Sequence, residues 1–243
     1  IATGAKYRTF PGLVHDGKRL IGAWDAILMN EVPKSVGIIG AGAIGVEFAY
    51  FWKLFGADVT IYEMQNHLLP IEDEESSIEV EKAYKKMGIN LCLGVKNVTA
   101  KANAKKAVIE FTDAKGDQKH EFDYALIAVG MTGNIEGFGL EAIGVETEKG
   151  FIKVNEFGQT NISHIYAIGD VSGPPLLAHA ASHEGVIAAE HLAGLKPHAM
   201  DKQNIPGCTY CQPQVASVGY TEAQLKKENI KYNLKVKKLE ERV

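Results

Sequence analysis

A glycine-rich turn constrains the fold of this chain more than any other feature of its sequence. The motif GxGxxG occupies residues 40–45, after the short apolar run 35–39 and before the mostly apolar run 46–55. A strand, a tight glycine turn and a buried helix in that order open a βαβ unit. A second β-branched run at 58–62 follows closely, so we expect two parallel strands joined by a right-handed crossover.

The three glycines have distinct predicted roles, and an acidic residue completes the pattern. Gly40 permits the tight turn, Gly42 lets the backbone approach a pyrophosphate, and Gly45 lets the helix pack against the sheet. Glu63 ends the second strand about twenty residues further on, where a carboxylate accepts hydrogen bonds from the adenosine ribose. No Arg or Lys lies within residues 64–67 to receive a 2′-phosphate, so NAD is favoured over NADP. The NAD contacts predicted from this motif are Gly40, Ala41, Gly42, Ala43, Ile44, Gly45 and Glu63.

Composition excludes several other kinds of protein. Of 243 residues, 46% are apolar and 23% are charged, which does not fit a disordered or fibrous chain. The formal net charge of −4 gives no basic field, so no nucleic acid partner is expected. No apolar run reaches the ~20 residues that span a bilayer, and we expect no membrane association. The 3 cysteines are too few for a secreted disulfide framework, which favours a cytoplasmic protein.

The hydrophobic pattern predicts an α/β protein, with a Rossmann-like parallel sheet, covering helices and an additional β-hairpin layer. Acidic residues at 73–75 and Gly88 mark the two ends of one helix. The other predicted strands are 90–93, 97–100, 107–112, 124–129, 162–168 and 214–220, and the other predicted helix is 178–192. The hairpin turn is expected at 115–117.

Two pairs of side chains with possible chemistry are interpreted as structural. Cys208 and Cys211 have redox spacing, but they lie in a predicted loop that no thioredoxin-like βαβ pattern precedes. His179 and His183 lie four residues apart on one predicted helix face, among Ala and apolar neighbours, which favours a buried or capping role. No metal site is predicted.

Four segments, in order along the chain, resemble the flavin-dependent pyridine nucleotide–disulfide oxidoreductases, and among them the dihydrolipoamide-oxidising members. They are 1–4, 40–47, 164–170 and 176–179, the last with Glu184 and Gly185 downstream. The resemblance extends the predicted NAD contacts to Val46, Glu47, Val98 and Gly130, with Glu47 near the nicotinamide. It implies FAD contacts from Thr3, Gly4, Asp170, Leu176, Leu177, Ala178 and His179, with Asp170 on the ribityl chain.

The resemblance also implies a domain organisation in which an NAD-binding domain is inserted into an FAD-binding domain. Residues 33–150 would form the NAD domain, 1–32 and 151–196 a partial FAD domain, and 197–243 the start of a dimer-interface domain. The family's FAD-binding GxGxxG, redox-active cysteine pair and acid–base His–Glu pair have no counterpart in this sequence, so no catalytic residue is predicted in it. We expect a fragment that is inactive by itself and holds FAD weakly. Met131 follows Gly130 where the family usually has Arg.

The function implied by the resemblance belongs to a parent enzyme. That enzyme would oxidise dihydrolipoamide carried on the acyltransferase subunit of 2-oxoacid dehydrogenase complexes, passing electrons through a cysteine disulfide and FAD to NAD, and it would be a homodimer. Two alternatives remain open. One is another flavin disulfide reductase or an NADH oxidase of the same fold, and the other is an NAD-binding module without catalytic activity.

Overall fold

The computed structural model describes residues 1–237. In chain order the strands are β1 (Ala5–Tyr7), β2 (Leu20–Ile21), β3 (Ser35–Ile39), β4 (Asp58–Glu63), β5 (Asn90–Leu93), β6 (Lys96–Ala102), β7 (Ala107–Asp113), β8 (Gly116–Phe122), β9 (Tyr124–Ile127), β10 (Met131–Gly133), β11 (Thr147–Glu148), β12 (Phe151–Ile152), β13 (Gly207–Thr209) and β14 (Val215–Ser217). The α-helices are α1 (Ala23–Ile27), α2 (Ala43–Leu54), α3 (Glu74–Met87), α4 (Ala178–Leu192) and α5 (Glu222–Lys227), and short 3-10 helices lie at Gly169–Ser172 and Lys202–Asn204.

A five-stranded parallel sheet in the order β2-β9-β3-β4-β5 forms the centre of the fold. Strand β3 pairs with β4 on one side and with β9 on the other, all in parallel register. The predicted α/β class and the βαβ unit around the glycine motif are therefore confirmed. Helix α2 begins at Ala43, three residues before the predicted run, because Gly42 is already its N-cap.

The two faces of this sheet bury different cores. Ile38 and Ile61 point towards the helix face, where they join a cluster that contains Trp52 of α2. Ile39 and Tyr62, the next residues along each strand, point the other way into a second cluster. This alternation follows from the two-residue period of a strand. It also explains why residues 36–39 of β3 and 59–62 of β4 are all buried, since both faces of these strands are covered.

The second cluster is closed by the antiparallel sheet β6-β7-β8. The predicted hairpin is present as β7 and β8, and it packs on the parallel sheet as expected. Its strands are longer than predicted, so the turn lies at 114–115 rather than at 115–117. Tyr62 connects the layers, because its hydroxyl lies 2.6 Å from Nδ1 of His120 on β8.

The strand predicted at 162–168 is wrong. The Ile165 amide donates to the Ile162 carbonyl at 2.9 Å, which makes a turn. The following residues are extended and make two short pairings. On one side the Ala167 amide donates to the Gly158 carbonyl at 2.8 Å, with a single antiparallel bridge between Tyr166 and Gln159. On the other side the Ile1 nitrogen donates to the Tyr166 carbonyl at 2.6 Å, and the Ile168 amide donates to the Ile1 carbonyl at 3.0 Å. An apolar, β-branched sequence therefore forms a turn and a short extended segment here, because a ladder of partners along its length is not provided.

The last described part of the chain packs on the helix layer. Strands β13 and β14 form an antiparallel hairpin, and residues 207–217 are called the C-terminal hairpin below. Only Val215–Ser217 of the predicted strand 214–220 is extended in the ladder. Cys211 and Val215 belong to the helix-side core. Within residues 1–237, none of the helices has the length and apolar character to cross a membrane.

Truncation of Ile109 tests the packing between the two sheets. This side chain is fully buried in the second cluster. Ile109→Ala should lower the free energy of unfolding by about 2–5 kcal/mol, measured by urea denaturation. Ile71→Ala is the matched control, since Ile71 is 79% exposed, and it should change stability by less than about 0.5 kcal/mol. Equal effects would contradict a common core between the two sheets.

Candidate dinucleotide and flavin sites

The glycine turn is built on close backbone contacts. Gly40 has a φ of +102°, and a Cβ at this position would lie 2.3 Å from the Ala128 carbonyl oxygen of the neighbouring strand connection. A Cβ on Gly45 would lie 2.0 Å from the Gly40 carbonyl oxygen. Gly40 excludes a side chain through its positive φ and through this contact. Gly45 excludes one through contact alone. These glycines let α2 start directly against the edge of the sheet.

Gly42 has a different environment from its two neighbours in the motif. Its φ of −70° and ψ of −176° are open to any residue, and a Cβ there would have no atom within 4 Å. It is the N-cap of the twelve-residue helix α2, and no side chain caps that end. The first amides of a helix lack partners within it and lie at the positive end of its dipole. The open space at Gly42 therefore faces a surface suited to an anion.

Glu63 lies beside this turn, at the end of β4. Its Oε2 accepts a hydrogen bond from the Ala41 amide at 2.8 Å, and its Oε1 accepts one from the Gln65 amide at 2.8 Å. The carboxylate thus fixes the glycine turn against the strand end, a role that sequence reasoning did not foresee. Each oxygen retains a further lone pair, so the same group is able to accept from a ribose hydroxyl.

Three other predicted NAD residues lie in different parts of the fold. Val46 is fully buried on α2, and its carbonyl accepts from the Tyr84 hydroxyl at 2.6 Å. Val98 lies half-buried on β6 against the second core. Gly130, with a φ of +102°, precedes β10, and its carbonyl accepts from the Arg8 amide at 3.0 Å. Their contact with NAD stays a prediction.

Glu47 has an unexpected partner. It lies in the second turn of α2, and its Oε1 accepts a hydrogen bond from the Tyr210 amide at 2.8 Å. The two residues are far apart in sequence, so no local pattern could reveal this contact. It connects the helix that carries the glycine motif with the C-terminal hairpin.

The predicted flavin residues form two groups. Thr3 and Gly4 lie immediately before β1, where the Thr3 hydroxyl donates to the Asn134 carbonyl at 2.7 Å and the Asn134 amide donates to the Gly4 carbonyl at 2.9 Å. These bonds continue the antiparallel pairing of β1 with β10, in which Met131 lies opposite Tyr7.

The second group surrounds the N-terminus of α4. Leu177 is the N-cap of this helix, and it follows Leu176, while Ala178 and His179 lie in the first turn. The 3-10 turn that carries Asp170 packs against α4, since the Gly169 amide donates to the Glu184 carboxylate at 2.6 Å. The fold therefore brings Asp170 to the same helix as the segment 176–179.

Burial raises the pKa of the Asp170 carboxyl above its usual range. A raised pKa means that the carboxylate form is disfavoured where it stands, because it has lost water. An uncompensated polar group in a fixed position is typical of a binding residue that awaits hydroxyl donors.

Cys92 and Cys211, but not Cys208, have the character of packing residues. Cys208 is exposed, Cys211 is buried and Cys92 is intermediate, and all three are free thiols. Burial raises the pKa of the Cys211 thiol and of the Cys92 thiol, opposite to the shift of a reactive cysteine. His179 does not pair with His183: its Nε2 lies 3.0 Å from the Pro206 carbonyl oxygen. Within the described residues, no three His, Cys, Asp or Glu side chains gather in a group that could hold a metal ion.

Comparison with known proteins agrees with this arrangement. Residues 1–185 match the family described as pyridine nucleotide-disulphide oxidoreductase, and residues 205–242 match its dimerisation domain. Dihydrolipoyl dehydrogenase of Zymomonas mobilis is 46% identical over 239 residues, which cover 97% of this chain and 51% of that protein. The same enzyme of Bacillus subtilis is 43% identical over 240 residues, covering 98% and 50%.

Solved structures with the same fold include LpdA of Mycobacterium tuberculosis, with a TM-score of 0.84 and 26% identity over 93% of this chain and 49% of that one. The HOCl-induced flavoprotein disulfide reductase RclA of Escherichia coli has a TM-score of 0.80 and 25% identity, over 93% and 52%. The chain spans about half the length of the curated relatives it matches.

The fold and the glycine turn thus define an α/β protein of the dinucleotide-binding class. The chain belongs to the pyridine nucleotide-disulphide oxidoreductase family, whose members depend on FAD and use NAD(H). The predicted resemblance is confirmed.

The desolvation of the Asp170 carboxyl predicts how the stability of the fold depends on pH. Because its pKa is raised in the folded state, the unfolded chain gives up this proton first, and the stability of the fold decreases as pH rises through that range. Asp170→Asn should therefore raise the Tm by about 1–2 °C at pH 7.5, with a difference that shrinks as the pH falls towards about 4. Calorimetric melting at several pH values measures this. A variant that melts below the parent chain at every pH would contradict it.

Proposed function

We propose that this chain binds NAD with the pyrophosphate at the N-terminus of α2. The observation that carries the proposal is the contrast between the three glycines. Backbone atoms occupy the space into which a Cβ on Gly40 or Gly45 would project. At Gly42 the corresponding space is open, and it lies at a helix end without a side-chain cap. Packing alone explains the first two glycines but gives no reason for the third. A bound pyrophosphate, which needs close contact with backbone amides, gives that reason.

The same residues support a preference for NAD over NADP. Glu63 is held in place by two backbone amides, so its carboxylate cannot readily turn away from an adenosine ribose beside it. A ribose hydroxyl donates to such a group, whereas a 2′-phosphate is repelled by it.

For FAD, the residues present fit one part of the cofactor. Asp170 offers a desolvated acceptor for ribityl hydroxyls, and the N-terminus of α4 lies beside it. When bound, FAD supplies the transfer of an electron pair between a dithiol–disulfide couple and the nicotinamide. The chain's own part is to hold and align the cofactors, with Asp170 as hydrogen-bond acceptor and Glu63 and Gly42 placing the nucleotide.

For the whole protein, we propose the oxidation of dihydrolipoamide, carried by the acyltransferase subunit of a 2-oxoacid dehydrogenase complex, in the cytoplasm and as a homodimer. The names of the sequence relatives and the match to a dimerisation domain support this proposal. The relatives are about twice as long as this chain. We propose that the thiol chemistry is carried out by the part of the protein that corresponds to the other half of these relatives. The likeness to RclA supports reduction of another disulfide as the second candidate.

Gly42→Ala tests the pyrophosphate site. The added methyl group occupies the open cradle, so the Kd for NAD should rise at least about tenfold, while the Tm without ligand changes by less than about 2 °C. Gly45→Ala is the matched control, because its methyl group meets backbone and should lower stability by about 1–3 kcal/mol or more. Isothermal calorimetry and thermal melting measure both. Unchanged NAD affinity in Gly42→Ala would exclude this site.

Glu63→Gln tests cofactor preference. A carboxylate and a phosphate about 5 Å apart repel by roughly 3 kcal/mol per unit charge at an effective dielectric constant near 20, which is about a hundredfold in affinity. The ratio of NAD to NADP affinity, measured by calorimetry, should therefore fall by about that factor. Glu75→Gln, which changes an exposed glutamate in the first turn of α3, should leave the ratio as it is. If both variants keep the parent ratio, Glu63 does not select the cofactor.

A further inference from the structure

We propose that Glu47 is a positioning residue that holds the C-terminal hairpin on α2, and that nucleotide binding at the start of α2 tightens this contact. The second half of the proposal rests on the proposed NAD site. The first half rests only on contacts within the chain.

The contact between Glu47 and the hairpin is charge-assisted. The Tyr210 amide donates to the Glu47 carboxylate at 2.8 Å, and Tyr210 itself is 71% exposed, so its aromatic ring does not hold the hairpin in place. A hydrogen bond with an ionised acceptor is stronger than one between neutral groups. The attachment of the hairpin tip to α2 at this point therefore depends on the Glu47 carboxylate.

The residue after Tyr210 shows what this contact protects. Cys211 is 2% exposed and packs in the helix-side core, while its thiol donates to the Pro213 carbonyl at 3.0 Å. Burial raises the pKa of this thiol, Tyr84 opposes the rise, and Glu47 adds to it. The thiol therefore becomes reactive only when the hairpin separates from α2, which makes Cys211 a built-in reporter of that opening.

Two further hydrogen bonds join residues near the C-terminal hairpin to α4 and to the start of α3. The Pro206 carbonyl oxygen lies 3.0 Å from His179 Nε2 in the first turn of α4, and the Glu222 amide donates to the N-cap carboxylate of Asp73 at 2.8 Å. Only four positions separate Pro206 from Tyr210. The chain before the hairpin tip thus links the predicted flavin helix to the predicted NAD helix, with Glu47 as the acceptor on the NAD side.

The link to nucleotide binding follows from the position of Glu47 in α2. The proposed pyrophosphate site uses the amides of the first turn, and Glu47 lies in the turn immediately after it. An anion bound to those amides orders the first two turns, so less conformational entropy is lost when the hairpin closes on Glu47. Because coupling is reciprocal, a hairpin held on Glu47 in turn favours nucleotide binding.

The experiment measures alkylation of Cys211 by iodoacetamide. Cys92→Ala and Cys208→Ala together leave Cys211 as the only thiol of the chain, and mass spectrometry follows its modification under native conditions. Glu47→Asp keeps the charge but shortens the side chain, so the carboxylate loses the Tyr210 amide. Glu47→Gln keeps the length and removes the charge. Glu75→Asp makes the same shortening, from Glu to Asp, at an exposed glutamate of α3 and serves as the control.

Without nucleotide, Glu47→Asp should speed alkylation about tenfold relative to the parent and to Glu75→Asp. Glu47→Gln, in which a neutral acceptor still reaches the amide, should have a smaller effect once rates between pH 7 and 9 are compared to correct for the thiol pKa. Equal rates in Glu47→Asp and Glu75→Asp would overturn the positioning role. Circular dichroism confirms that each variant is folded under the labelling conditions.

At NAD concentrations that calorimetry shows to saturate each variant, alkylation should slow several-fold in the parent and much less in Glu47→Asp. Because both samples are saturated, a direct contribution of Glu47 to NAD affinity does not enter this comparison. Slowing by the same factor in both would overturn the coupling. Calorimetry of NAD binding to the same samples separates the two proposals. A chain that binds no NAD would overturn the proposed function and the coupling with it, while the measurements without nucleotide still decide whether Glu47 holds the hairpin.

Discussion

The contact of backbone with backbone at the glycine turn is the constraint on which the rest of the structure depends. Only because Gly40 and Gly45 lack side chains is α2 able to start against the edge of the parallel sheet. Once α2 has this position, Trp52 fills the core between helix and sheet. The N-terminus of α2 then lies beside the end of β4, where the Glu63 carboxylate accepts a hydrogen bond from the Ala41 amide of the glycine turn. One local requirement thus determines the helix position, the core and the site.

The turn and the strands beside it could be predicted from sequence because their information is local. The helix start signal at Asp73 and the left-handed Gly88 at its end agree with the observed α3, and α4 has the predicted bounds. The hairpin layer was recognisable by its alternation, though its turn lies slightly earlier than expected. In these cases the signal for an element lies within the element itself.

The errors and omissions concern contacts between distant parts of the chain. The run 162–168 has the composition of a strand, but a strand needs a continuous partner, and here the pairing is limited to short contacts with residues 158–160 and with Ile1. Glu63 was expected to serve a ribose, and its bonds to the turn were not foreseen. The Glu47–Tyr210 contact joins positions whose proximity is decided by tertiary packing alone.

The three acidic residues at the proposed sites illustrate how one side-chain type is used differently according to its surroundings. Glu63 is compensated by two amides and stabilises the turn that it serves, while Glu47 has one amide from a distant segment and so responds to that segment's position. Asp170 is desolvated, which raises the pKa of its carboxyl and reduces the stability of the fold at a pH where the carboxyl is ionised. The degree of compensation by the protein therefore distinguishes three roles. Glu63 shapes the glycine turn, Glu47 contacts the C-terminal hairpin, and Asp170 keeps an acceptor capacity that we propose is used by a ligand.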